Sequence, residues 1–488
     1  MQAQFLTGVA LALALLTGVA SAADPASLGP VAAASQPAGG YVGRVALTPD
    51  HGPGGASVTL EASGLPPGDE VEIVWRTMKG AWKVANGEYN GREYTPVGYR
   101  VATARPDAAG KLSLKFTAPD DFGFGHDVVI QKGSRLYTQA NFSIDMSVEM
   151  SPSSGPQGTP VTFEMKGIGW RELENSWTLS YDNAFTGWVS SVTTGGTAKF
   201  TIPATGGQGA HVIAFIHGEF TFPYLNPEQN PRPDRPRFTK IFTITPGDPV
   251  LPPSVEAQLQ KDMRGRPAPG ALVATPALGP INTPLSVTGG GFTPGKSYAL
   301  EWASMSGNRV GGGGFSDIGR KIAEAKADAA GKLAFSFKAP DDLGGPHNLR
   351  VKDGDTEREG WYTTLTSALP LDVSSGPAGT PFKVHLKGVG WTETANIYAL
   401  VYDNIYSGYA CGFNSQGDVE VFMHASGAPG WHFIDLYPAI YKGKETRPNN
   451  FRIPQLTYAE DHPGEDLPAF HLAFRVTEAD TRAPAPMR

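Results

Sequence analysis

The sequence predicts an all-β chain, four tandem β-sandwich domains arranged as a duplicated two-domain unit, and three observations lead there. The stretch SSGPQGTPVTFEMKGIGW, Ser153 to Trp170, returns as SSGPAGTPFKVHLKGVGW, Ser374 to Trp391, at an offset of 374 − 153 = 221. The same offset relates APDD at Ala118 and Ala339, GKL at Gly110 and Gly331, and YDN at Tyr181 and Tyr402, so the chain is a tandem duplication. Each half divides again at a weaker Gly-Pro signal, HGPGGASVTLEASG from His51 and LGPINTPLSVTGGG from Leu278. The four units share one order of parts: a Gly-Pro bend, an alternating run, a second run (GKLSLKF, GTAKFTI, GKLAFSF or GDVEVFM), then a glycine-rich turn into His126, His211, His347 or His432. The third observation is composition. Gly 60 and Pro 42 in 488 residues, with a hydrophobic fraction of 40%, describe turn-rich β structure that still has enough apolar side chains for packed cores.

Composition also narrows function. A net charge of −7 leaves no basic footprint for nucleic acid. The single cysteine, Cys411, excludes an intrachain disulfide, so stability must come from packing. Phe5 to Ala20 is apolar and is followed by Ala20-Ser21-Ala22, the pattern of a secretory signal over residues 1–22, which places the mature protein outside the cytoplasm, in the periplasm or beyond. No Lys or Arg precedes the run, and an N-terminal membrane anchor is the alternative, although the run is shorter than the ~20 residues that a spanning helix needs.

Taken in order, residues 23–43 are rich in Ala, Pro, Ser and Gly and read as a flexible leader. Domain 1 covers 44–146, where ASVTLEAS and VEIVW are strands, Trp75 suits a sandwich centre, and Lys79 to Tyr99 forms a long polar and aromatic excursion. Domain 2, residues 147–247, alternates Val161, Phe163 and Met165 with polar residues. Domain 4, residues 370–478, keeps that register with Phe382, Val384 and Leu386, which sets His385 on the outer face. Between the halves, 248–269 reads as a linker with one short helix, since Val255, Leu259 and Met263 recur at helical spacing behind Ser254 as N-cap. Domain 3 covers 270–369 and carries a glycine loop at Gly311 to Gly314, and 479–488 is a tail. The offset fails in the loop between the last two strands of domains 2 and 4. Phe238 and Phe470 are 232 apart, so the domain 4 loop is longer by 232 − 221 = 11 residues. Long loops on a rigid scaffold are where recognition usually resides.

The G-P-x-G-T-P-V stretch, the G-x-G-[FW] that follows it and the glycine turn into histidine resemble bacterial Ig-like repeats of the IPT/TIG or a related type, over most of the mature chain. That resemblance implies four tandem Ig-like domains, each an antiparallel sandwich. It implies no single function, because such modules serve as adhesins, spacers and enzyme-appended domains.

Several motifs suggest chemistry. GGFTPGKS, Gly290 to Ser297, fits a phosphate-binding loop, yet YALEW after it has strand character where a helix is required, so no nucleotide is expected. One histidine per repeat cannot converge on a metal, and no cofactor is expected. Asp120-Asp121 and Asp341-Asp342 read as solvated turn carboxylates, and Asp353-Gly354-Asp355 as a hairpin turn. The candidate binding residues are Tyr181, Asp182, Asn183 and Trp188, with their counterparts Tyr402, Asp403, Asn404 and Tyr409, where a ring beside hydrogen-bonding groups suits a peptide or glycan. The loops at one end of each sandwich are expected to bring Trp170 near Tyr224, and Trp391 near Tyr441, as a second patch or as an apolar plug. No G-x-S-x-G, H-E-x-x-H or C-x-x-C-H occurs. The expected function is that of an exported non-catalytic protein recognising a protein partner at the cell envelope or surface. The alternatives are a glycan-binding accessory, or a hydrolase with a site between domains.

Overall fold

The computed structural model describes residues 29–32, 34, 40–219, 221–229, 235–308, 314–441 and 452–478. The apolar leader 1–22, the tail 479–488, most of the Gly311 to Gly314 loop and residues 442–451 of the long domain 4 loop lie outside them.

The chain forms four Ig-like β-sandwiches, each pairing a three-stranded sheet with one of five or six strands. Their cores centre on Trp75, Phe163, Trp302 and Phe382 respectively. The alternation read in domains 2 and 4 selects the core faces. Val161, Phe163 and Met165 are fully buried, as are Phe382, Val384 and Leu386, each contributing about 1.5–3 kcal/mol by leaving water. The register repeats with the sequence: Pro160↔Pro203 to Met165↔Ala198 in domain 2 matches Pro381↔His424 to Leu386↔Val419 in domain 4.

The Gly-Pro signal marks the point where the first strand leaves the small sheet and joins the large one. Ser154–Gly155 pairs in parallel with Thr243–Ile244, Leu278–Gly279 with Thr363–Thr364, Ser375–Pro377 with Arg475–Thr477, and His51–Gly52 with Ser143–Ile144. In three domains a threonine locks this bend: the hydroxyls of Thr159, Thr283 and Thr380 donate to the carbonyls of Pro156, Pro280 and Pro377 at 2.6, 2.6 and 2.7 Å. The glycine before each proline is required by that lock. A Cβ on Gly155 would sit 2.5 Å from Thr159 Oγ1, and one on Gly376 would sit 2.4 Å from Thr380 Oγ1.

By compactness the chain divides into two units. One comprises the chain up to Arg76, Gly98–Asp121 and Gly125–Asp145, and the other comprises Thr77–Val97, Phe122–Phe124 and everything from Met146 on. In the first unit the described residues of the leader are bonded to the sheet, contrary to the expectation of a flexible segment. Pro30–Val31 pairs with Gly98 and Tyr99, Arg76 donates to the Ala34 carbonyl at 2.7 Å, and Val31 and Ala34 pack on Val74, Val129 and Leu136. An edge strand offers backbone bonds to a segment that has few apolar side chains of its own. The second unit holds domains 2, 3 and 4 together with the outer part of the long hairpin built from Val71–Ala85 and Glu88–Ala104.

The linker helix is shorter than its periodicity predicts. Val255–Gln258 forms a single 3₁₀ turn, Ser254 makes no side-chain cap, and Leu259 is already extended. Tertiary bonds decide this. Gln258 Nε2 donates to the His471 carbonyl and the His471 amide donates back to Gln258 Oε1, while Gln260 Nε2 donates to the Asp466 carbonyl.

The second aspartate of each APDD motif is buried, which corrects its reading as a solvated turn residue. Asp121 and Asp342 are 4% and 0% exposed and accept the indole N–H of Trp75 and Trp302 at 2.7 and 2.9 Å. Each indole also stacks on its domain's histidine, Trp75 on His126 at 4.6 Å and Trp302 on His347 at 4.3 Å. Asp342 further accepts from Ser304 at 2.7 Å, Arg320 at 2.6 Å and Gln416 of domain 4 at 2.7 Å. Burial opposes its charge, but the Gln416, Ser304 and Leu343 donors and the nearby His347 hold its pKa below the usual carboxylate range. Such a group contributes stability that is present above its unfolded pKa and lost as pH falls through the lower folded value. Asp342→Ala is expected to cost about 2–4 kcal/mol at pH 7, because several donors lose their acceptor. Denaturant melts checking this should show the Asp342→Asn deficit shrinking as the pH is taken below about 4.

Candidate functional site

The two YDN turns are hairpin corners with the same internal wiring. Asp182, Asn183, Asp403 and Asn404 have φ of +48°, +68°, +50° and +61°, the left-handed conformation that Asp and Asn tolerate in two-residue hairpins. Tyr181 donates its hydroxyl to the Thr205 carbonyl at 2.8 Å and stacks on His211, and Tyr402 does the same with Ser426 at 2.9 Å and His432. Each aspartate then clasps the histidine that opens the next strand. Asp182 holds His211 Nδ1 at 2.6 Å and the Val212 amide at 2.9 Å, and Asp403 holds His432 Nδ1 at 2.5 Å and the Phe433 amide at 2.9 Å. The second ring nitrogens reach the carbonyls of Gly207 and Ala428 at 2.7 and 2.9 Å. These histidines are therefore bound at both nitrogens inside their own domains.

Beyond the wiring the two copies diverge, because they meet each other. Thr186 donates to the Asn404 carbonyl at 2.6 Å, and the Asn404 amide donates to the Pro203 carbonyl at 2.8 Å and to Thr205 Oγ1 at 3.0 Å. Asn404 is fully buried, whereas Asn183 is exposed. Trp188 is fully buried, and its counterpart Tyr409 is 44% exposed. Tyr181 is buried at 3% exposure, and Tyr402 is half-buried.

The described part of the long domain 4 loop explains the burial of Trp188. The Trp188 amide donates to the Pro454 carbonyl and its carbonyl accepts from the Leu456 amide, both at 2.9 Å, which makes a parallel bridge to Gln455. Further along, Ser190 meets Thr457 at 3.0 Å. Buried Asp461 then accepts from the Val192 and Thr193 amides at 2.7 and 2.9 Å and from the Trp82 indole at 3.0 Å. Arg92 lies over both Trp82 and Trp188, at 5.5 and 5.3 Å from their rings.

The half-buried Trp170 and Trp391 are also covered by the outer hairpin and its neighbours. Trp170 packs edge-on against Phe122 at 6.1 Å beneath the Arg171 guanidinium at 4.2 Å. Beside Trp391 the hairpin tip docks: the Glu393 amide donates to the Gly87 carbonyl at 2.7 Å, and the Tyr89 amide donates to Glu393 Oε2 at 2.8 Å. Tyr224 turns to the Gln229 carbonyl and Tyr441 lies beneath Arg452.

Two exposed features of this unit stand out among the described residues. At one edge of domain 4, Ile405 and Tyr409 are 49% and 44% exposed on strand Ile405–Cys411, and Phe422 is 77% exposed on the adjacent strand Val419–His424. Arg452 donates to the Tyr409 hydroxyl at 3.2 Å. Elsewhere a cleft of about 160 Å³ is lined by Ile202, Val250, Leu251, Phe433, Asp435 and His471. Asp435 is buried and holds His471 Nδ1 at 2.7 Å. The hydroxyl on that cleft, Thr201, is bonded to Thr162 at 2.9 Å. Among the described residues no group of three or more His, Cys, Asp or Glu is placed to hold a metal ion.

The segment matching a phosphate loop turns at Thr293 to Lys296 and enters the strand Ser297–Asn308. Lys296 and Tyr298 both bind Asp353. His385 lies on the outer face as read, and it is bonded to Asp418 at 2.5 Å.

No protein-family model matches the sequence, and no curated protein matches it. Among solved structures the chain is similar to a Salmonella alpha-2-macroglobulin reacted with methylamine, at 9% identity over 90% of this chain and 31% of that one, TM-score 0.18. It is similar to invasin, a bacterial integrin-binding protein, at 9% identity over 89% and 79% of the chains, TM-score 0.19. It is similar also to an ICAM-5 D1-D4 ectodomain fragment, at 12% identity over 84% and 99%, TM-score 0.17. The chain spans 31% of the macroglobulin's length. Likenesses this distant carry nothing about function, and the fold stands on the sheets themselves.

Burial opposes protonation of His432, but its bonds to Asp403 and the Ala428 carbonyl and the Asp403 charge together raise its pKa above the ordinary value. A raised histidine contributes stability that is complete below its unfolded pKa and disappears as pH rises through the folded one. Asp403→Asn is therefore expected to lower the melting temperature more at pH 5.5 than at pH 8.5. A residual loss should remain at the higher pH from the weakened Phe433 amide bond.

Proposed function

We propose that this chain is an exported, non-catalytic binding protein of the cell envelope or surface, and that it recognises a protein partner through the exposed edge of domain 4. The observation carrying this reading is the exposure of three large apolar side chains, Ile405 and Tyr409 on the edge strand of the large sheet and Phe422 on the edge strand of the small sheet, in a sandwich whose other candidate rings are covered. Exposed large apolar side chains on an ordered scaffold are what protein interfaces use as anchors. Export follows from the apolar leader and its A-x-A site, and no helix among the described residues is long and apolar enough to cross a membrane.

The alternatives fare less well on the same observations. A glycan platform formed by both YDN turns needs open rings, and Tyr181 and Trp188 are buried. A hydrolase built on the repeat histidines is not favoured, since His211, His347 and His432 each have both nitrogens directed at acceptors.

The test is capture from the native envelope by the mature protein, with wild type compared against Ile405→Ser/Phe422→Ser after circular dichroism has established that both fold. A protein partner retained by wild type and reduced at least tenfold by the variant is the expected result. Equal capture by both proteins, or retention of envelope polysaccharide in place of a protein, contradicts it.

A further inference from the structure

The duplication places two equivalent edge strands in the second unit, Ala184–Val189 in domain 2 and Ile405–Cys411 in domain 4. Each lies at the end of its large sheet. Their registers are the same: Thr178↔Trp188 corresponds to Ala399↔Tyr409, and both hairpins shift register at the same place, between Leu179 and Ser180 and between Leu400 and Val401. In an antiparallel pair, alternate residues turn their N–H and C=O away from the partner strand. Trp188 is such a residue, because its N–H and C=O bond outward to Pro454 and Leu456. The shared register makes Tyr409 another.

The cover on Trp188 comes from the loop that is 11 residues longer than its domain 2 counterpart, as 232 − 221 shows. The described part of the domain 2 loop is committed elsewhere. Phe222–Pro223 folds back on Glu219 and Gly218, and Arg235 pairs with buried Glu174 at 2.8 Å. Among the described residues no backbone bond reaches the outer side of Tyr409, and Ile405, Ser407 and Tyr409 are exposed.

We infer that strand Ile405–Cys411 is a strand-addition site, taking an extended segment of a partner protein that bonds the Tyr409 backbone as Pro454–Leu456 bonds Trp188. This deepens the protein-binding reading above and rests on it. The occupant is defined by its internal precedent. Ile453-Pro454-Gln455 passes Trp188 as a single parallel bridge and turns at Leu456, burying Ile453 and Leu456, at 2% and 6% exposure, on either side of the paired residue. The expected segment is therefore short and extended, has an amide two residues after a free carbonyl, and carries apolar side chains to lie against Tyr406 and Tyr409. Main-chain bonds supply affinity in such additions and alternate side chains supply selectivity.

A fluorescein-labelled peptide of sequence RIPQLTY, residues 452–458, is the probe, added to the full-length mature protein and followed by anisotropy. Saturable binding is expected. It should weaken at least tenfold in Tyr409→Pro, which removes the outward N–H at an edge position where proline is tolerated. N-methylation of the peptide leucine, which removes the N–H facing the Tyr409 carbonyl, should weaken binding as much and leaves the protein unaltered. Absence of saturable binding, or binding unaffected by both changes, overturns the inference. If the envelope partner is lost with Ile405→Ser/Phe422→Ser but kept by folded Tyr409→Pro, protein recognition stands and strand addition falls.

Discussion

Trp188 has an outward N–H and C=O at the end of a sheet, and the organisation of domains 2 and 4 follows from what satisfies them. A backbone pair left in an apolar setting is costly, so burying this edge requires a partner strand. The loop of domain 4 supplies it at Pro454 and Leu456, and the same excursion then sets Thr457 on Ser190 and Asp461 on the Val192 and Thr193 amides. Once that loop is seated, Asn404 is carried into domain 2, where it finds the Pro203 carbonyl and Thr205. Two copies with the same internal wiring thus end in different environments, with Trp188 bonded by the loop and, among the described residues, no backbone bond on the outer side of Tyr409.

Within each copy the histidine at the start of the penultimate strand is a fastening, and the fastening comes in two forms. In domains 2 and 4 the aspartate of the hairpin corner holds the imidazole and the next backbone amide together. In domains 1 and 3 the histidine lies flat on the core tryptophan, whose indole N–H is held by the buried APDD aspartate. A second tie shows the same physical need met with exchanged residues: Asp69 binds Lys132 and Tyr137 in domain 1, and Lys296 and Tyr298 bind Asp353 in domain 3. The exchange of sign keeps the interaction while hiding it from a motif search.

The fold was legible because its signals are local and repeated. Alternation at Val161, Phe163 and Met165 selects a face by itself, and Gly155, Pro156 and Thr159 form one bend whose lock lies within five residues. The site was legible only in part, since exposure depends on partners distant in sequence. Nothing near Trp188 announces that residues 454–456 will cover it, and nothing near Tyr409 announces that it will be 44% exposed. Asp342 was read as a turn carboxylate because Gln416, one of its donors, is 74 residues away. The linker helix is shorter than its periodicity predicts for the same reason, its glutamines being drawn to domain 4. The 11-residue difference between the two loops was the informative signal. It marked the segment that closes the Trp188 edge.

Amide hydrogen exchange of the unliganded mature protein, resolved by peptide mass over Ala184–Val189 and Ile405–Cys411, tests this asymmetry most directly. Slow exchange at Trp188 with fast exchange at Tyr409 is the expected result, because the first amide is bonded to Pro454 and the second faces outward. Equal protection of the two strands would contradict it, since the domain 4 edge would then be closed as well.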